Sequence, residues 1–295
     1  MPDERLYDVD ISFAFPELVE NYHDEFRRKF EPLVEAVGAL PEVAALTGLT
    51  LRISRLAIAT KALAEKGLKE ESQIPFRSCT ESLVNLLYIF SVGPSRNDKN
   101  ERGLAEQFIA HGDVSYDKLL SARPLAVRRT YLRRTNMTEQ EIDAHLADIK
   151  IKREEAITNH GCTKSRWHSL DLQAMAKLVR DNRPAYVDDR FAEMILSSFQ
   201  GQNSSTHSDA LSIRTQYADL GNAALEVRLV IDSSYADAAG LMTMWAWRTM
   251  AIFFNQERWI NTMIDRRMRD VMRLRLSAAQ LKANRKILLP WEVED

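Results

Sequence analysis

Apolar side chains recur along this chain at helical spacing, and the breaks between runs carry turn chemistry. From Leu18 to Val37, Phe26, Phe30 and Val34 fall at i, i+4 and i+8, one face of a helix that Pro16 introduces and Gly38 and Pro41 end. A second helix is predicted from about Leu49 to Glu65, stopped by Gly67, and a third from about Ile74-Pro75 to Phe90. Gly93-Pro-Ser-Arg-Asn-Asp98 reads as a loop. Helices follow at about Glu101–Leu120 and Pro124–Arg134. Thr138 with Glu141 three residues on is a capping signature for a helix running to about Asn159, closed by His160-Gly161. Further helices are expected from Asp171 to Arg180 and from the Arg183-Pro184 break to Phe199. Gln216–Ile231 leaves a strand open as an alternative, because Val227, Val230 and Ile231 are β-branched. Two long helices, Tyr235–Thr262 and Ile264–Ala283, close the pattern ahead of a tail from Leu288.

The fold class is therefore all-α, a bundle of about nine to eleven helices. Residues 1–72 are expected to form an N-terminal helical hairpin packed on a main domain of residues 73–295. Ten Gly and nine Pro in 295 residues agree with long, little-interrupted elements. A hydrophobic share of 45% and a charged share of 28% suit a globular core, and a net charge of −2 demands no polyanionic partner. Cys79 and Cys162 make neither a disulfide framework nor a metal motif, which points to a reducing cytoplasm. The most apolar run, Ala236–Phe254, carries Asp237 and Arg248, so it reads as a buried helix and not a membrane span.

Candidate chemistry comes from short polar pieces. Arg77 and Glu81 are one helical turn apart beside Val84, Leu87 and Tyr88. They are either a register-fixing ion pair or a working pair, with Arg77 holding an anion and Glu81 acting as orienter or base. His207, after Ser204 and Ser205, either caps a helix end or acts as general acid and base near neutral pH. Arg153 and His160 share a helix face but read first as a solvated helix end. Glu20-x-x-His23 is half of a di-iron set with no second copy, so no metal is assigned, and no nucleotide-binding, nucleophile-elbow or zinc-protease motif occurs. No cofactor is expected. Arginines gather at 123–134 and 266–275, either as solvated faces or as a phosphate track for RNA or DNA.

Three blocks, in order and spacing, resemble the bacterial helical family DUF5677, whose function is not established. They are Arg77-x-x-x-Glu81 with Leu83-Val-Asn-Leu-Leu-Tyr88, then Trp167–Ala176 followed by Tyr186, then Ser204-Ser-Thr-His207, within about Ile74–Thr262. The resemblance implies that Arg77 and His207 act together. It marks Ser204, Ser205, Trp167 and Tyr186 as candidates for substrate contact. Some relatives resemble parts of phage-defence or toxin-like systems, and the helical pattern is similar to HEPN-type domains, many of them ribonucleases. Two functions stay open: a non-enzymatic module in a defence or stress system, and a metal-independent ribonuclease built on Arg77, Glu81 and His207. A second copy of the chain and RNA are the partners considered, with no membrane.

Overall fold

A computed structural model of the chain describes residues 12–92, 103–187, 189, 195 and 233–275, with side chains as far as 270. The loop at 93–98, Ser204, Ser205, His207 and the segment Gln216–Ile231 lie outside the described residues. Within them there are nine α-helices and no strand: α1 (Ala14–Val37), α2 (Pro41–Glu65), α3 (Lys69–Leu87), α4 (Gly103–Ser121), α5 (Leu125–Arg133), α6 (Glu139–Asn159), α7 (Leu172–Asp181), α8 (Ser234–Phe253) and α9 (Glu257–Arg275). The all-α expectation holds. A π turn, Tyr88–Val92, continues α3.

Helices α1, α3 and α8 run parallel, and α2 and α9 run against them. The aromatic pairs set this order: Phe26 stacks on Trp247 at 4.6 Å, Phe76 meets Tyr235 at 5.1 Å, and Phe30 meets Trp259 edge-on at 5.7 Å. Helix α8 buries fourteen of its twenty residues, as a helix apolar on every side must. Helix α2 packs against α1, α3, α4 and α8. It is long and apolar enough to cross a membrane by length and composition. Here it is a central bundle helix, with Leu46 and Ile53 sealed and Ser54 Oγ accepting the Trp247 indole N–H at 3.1 Å. One continuous core takes in residues of α1, α2, α3, α7, α8 and α9.

Three boundaries differ from the sequence pattern. Pro41 opens α2 at its first turn, where its missing N–H costs nothing, and Gly38 alone ends α1 (φ 81°). Helix α3 begins a turn before Pro75, at Lys69, because Ser72 and Gln73 are buried and Ser72 Oγ caps back onto the Lys69 carbonyl at 2.6 Å. The break between the last two helices falls at Phe254-Asn255-Gln256 and not at Thr262. Asn255 takes a left-handed backbone (φ 56°) there, the turn role that Gly fills elsewhere. The capping box at Thr138 is present in full: its hydroxyl accepts from Glu141 N, and the Glu141 carboxylate accepts from Thr138 N.

The start of α1 is tied to α8. Phe13 N donates to Asp237 Oδ2 at 3.1 Å, so a carboxylate of α8 serves an end of α1 that has no side-chain cap of its own. A Cβ on Gly240 would stand 2.6 Å from Pro16 N and 2.7 Å from the Phe15 carbonyl carbon. Both are backbone atoms, so the contact cannot be relieved by turning a side chain. Gly240→Ala is therefore expected to destabilise by about 1–3 kcal/mol despite the better helix propensity of alanine, read as a lower denaturant midpoint.

Candidate functional site

Arg77, Glu81 and Asn85 occupy successive turns of one α3 face, and the π turn carries Tyr88 onto the same side. Arg77 Nε donates to Glu81 Oε1 at 3.0 Å, with side-chain exposures of 24% and 37%. The i, i+4 pairing read from the sequence is present, at the edge of the core and in reach of solvent.

One helical turn beyond Glu81, Asn85 Oδ1 accepts the Trp167 indole N–H at 3.0 Å. The local chain sets this up. Thr163 Oγ1 accepts from Ser165 N and Arg166 N, and Thr163 N donates to the Arg166 carbonyl, making a tight turn. His168 Nδ1 accepts from Leu170 N, and Asp171 caps α7 by accepting from Ala174 N at 2.8 Å. The indole is thereby held inward, 7% exposed, edge-on to Tyr88 and Phe108. His168 packs its ring against Tyr88 at 5.3 Å.

Tyr186 is placed one layer further along. Its hydroxyl lies 2.8 Å from Thr249 Oγ1 and 3.4 Å from Ser91 Oγ. Thr249 uses its own proton on the Trp245 carbonyl, so Tyr186 donates to Thr249 and accepts from Ser91. Burial pushes the Tyr186 phenol up, with the Ser91 and Thr249 bonds pulling the other way, and the group stays protonated at neutral pH. Arg248, 6% exposed, lies in the field of Tyr186, Glu257 and Asp265; burial lowers its pKa and the carboxylates oppose that.

The fold thus joins the first two signature blocks, Arg77–Tyr88 and Trp167–Tyr186, into one strut along α3. It places His207, Ser204 and Ser205 outside the described residues. Asn85, Ser91 and Thr249 complete the strut, and of these only Asn85 carried a sequence signal, its four-residue step from Glu81. Among the described residues no group of three or more His, Cys, Asp or Glu side chains is placed to hold a metal ion.

A family model described as a family of unknown function, DUF5677, matches residues 43–223, more than half of the chain. The chain belongs to DUF5677. The matched span takes in most of α2, all of the α3 strut face, Trp167 and Tyr186, and it ends ahead of α8, so Thr249 and Arg248 are contributed from beyond it. No curated protein and no solved structure matches the chain.

The other sequence candidates are accounted for locally. Arg153 pairs with Asp117 of α4 at 3.5 Å and with Glu154 at 3.1 Å, while His160 occupies the C-terminal boundary position of α6. In the first basic stretch, Arg129 is bound by Glu139 and Asp143 and Arg133 by Glu139. In the second, Arg267 is bound by Glu25 and Asp270 and lies over the Tyr22 ring at 4.6 Å.

Proposed function

We propose that this chain is a non-enzymatic cytoplasmic interaction module, with the family's signature residues acting as an internal strut that fixes the α3 face; the defence or stress setting follows the resemblance to phage-defence relatives. The observation that carries this reading is the occupation of Trp167 and Tyr186. Each has its polar atom taken up by another side chain, Asn85 for the indole and Thr249 with Ser91 for the phenol. Groups so held are oriented for stability, and neither the indole N–H nor the phenol O–H is left to donate to a substrate. The supporting physics is ordinary: a buried polar group is retained where its partner is fixed.

A second reading is favoured by one feature. Arg77 and Glu81 are a charged pair within the signature that keeps solvent access. A guanidinium there suits a phosphate, and with His207 as acid and base it would supply the parts of a metal-independent ribonuclease. An RNA-cleavage assay on the wild-type chain, Arg77→Ala and His207→Ala separates the two. The module reading expects no cleavage above a buffer blank in any of the three. Cleavage by the wild type that falls at least about a hundredfold in His207→Ala, the usual scale of acid–base catalysis, would instead establish the enzyme.

A further inference from the structure

Six of the eleven exposed large hydrophobic side chains among the described residues lie on α4–α6 or the turn between them: Ile109, Leu119, Leu125, Val127, Tyr131 and Ile151. Of the bundle's helices α4 reaches mainly α2, whereas α5 packs on α6 and buries only Leu132. A nine-residue helix is marginal by itself. It is pinned by Arg129 and Arg133 on the acids of α6, which turns Val127 and Tyr131, one turn apart and each 47% exposed, to the outside. Beside them Arg123 stacks over the Tyr131 ring at 5.8 Å and Arg134 follows at the helix end; among the described residues neither has a carboxylate within ion-pair distance.

Helix α6 presents the complement. Ile142, Ile149 and Ala156 are buried, and Ile151, 58% exposed, lies half a turn away from them. Asp148, paired along the helix with Lys152 at 2.8 Å, and Glu155 stand one turn to either side of Ile151. One short appendage therefore carries a basic apolar face and an apolar face edged by two carboxylates, of which Glu155 is not ion-paired with a lysine or arginine of its own helix.

We propose that this appendage is a self-association surface, with α5 of each copy lying against the Ile151 face of α6 of a second copy. This rests on the interaction-module reading and names its partner as the chain itself. Two-fold symmetry lets each basic face meet an acidic one, both contacts being made twice over. Packing α5 on α5 would set arginine against arginine, and a phosphate backbone would leave Val127 and Ile151 without a role. Charge matching and apolar burial together select the α5-on-α6 pairing.

The test is mass in solution by size exclusion with light scattering. The wild type is expected at twice the 33.8 kDa chain mass at high micromolar concentration. Arg123→Glu/Arg134→Glu and, separately, Asp148→Lys/Glu155→Lys are each expected to weaken association by at least about tenfold. Mixed one to one, the two variants should regain the dimer, because each then offers the face the other has reversed. Unchanged helical circular dichroism shows that the variants fold, and Tyr131→Ala, which changes no charge, should weaken the dimer as well. A monomeric wild type, association indifferent to both reversals, or no recovery on mixing would each overturn the proposal. A monomeric wild type that also cleaves no RNA would leave the module reading standing with another partner.

Discussion

Replacing Trp247 with alanine is expected to cost about 3–5 kcal/mol, the range for emptying a buried tryptophan site. The side chain is fully buried, stacked on Phe26 with 10° between the planes, and bonded through its indole N–H to Ser54. It connects α8 to α1 and α2 at once, so no single helix can move in to close the space. The neighbours Phe26 and Phe30 are themselves fully buried and held by their own ring contacts, which limits relaxation and places the effect toward the upper end. Trp247→Phe keeps the stack and loses the indole's hydrogen bond to the Ser54 hydroxyl, which still donates to the Thr50 carbonyl, so about 1–2 kcal/mol is expected. Denaturant unfolding checks both: the midpoint should fall well for Ala and modestly for Phe, with little change in the slope. Equal losses would mean that the indole bond, and not the ring volume, carries the site.

Local devices in this chain were legible, and distant ones were not. The capping box at Thr138 and the Arg77–Glu81 step need only neighbours within four residues, and both read correctly from the sequence. The break before the last helix was missed because Asn255 makes the turn without Gly or Pro while Trp259 and Ile260 keep the apolar rhythm running. Pro41 was read as a stop when it is a start, since proline suits a helix's first turn as well as the residues past its end. The strut shows the same limit at the site. Trp167 meets Asn85 across 82 residues and Tyr186 meets Thr249 across 63, and no periodicity encodes such pairs. Family resemblance located Trp167 and Tyr186 without giving the partners that decide whether their polar atoms are free.

The sharpest separation between an internal strut and an exposed working pair comes from Trp167→Ala beside Glu81→Ala. Removing the 7%-exposed indole empties a site walled by Tyr88 and Phe108 and takes the donor from Asn85, so about 3–5 kcal/mol is expected. Glu81 lies about 6 Å away along the helix axis from Asn85, at 1.5 Å per residue, yet its loss should be slight. Its partner is a single arginine, both ends reach solvent, and the arginine stands N-terminal to the acid, the less favourable order in a helix. Less than about 1 kcal/mol is expected. Melting curves of the two variants, run beside wild type, read the contrast directly: a fall of about 5–8 °C for Trp167→Ala and less than about 2 °C for Glu81→Ala, given the usual unfolding entropy per residue over a chain of this length. A Glu81→Ala variant that melted as low as Trp167→Ala would move the ion pair into the structural core and remove the ground for treating Arg77 and Glu81 as the working end of the site. Raised salt should leave the Trp167→Ala deficit in place, because ring packing and a buried amide bond are not screened, and should erase what little Glu81 contributes.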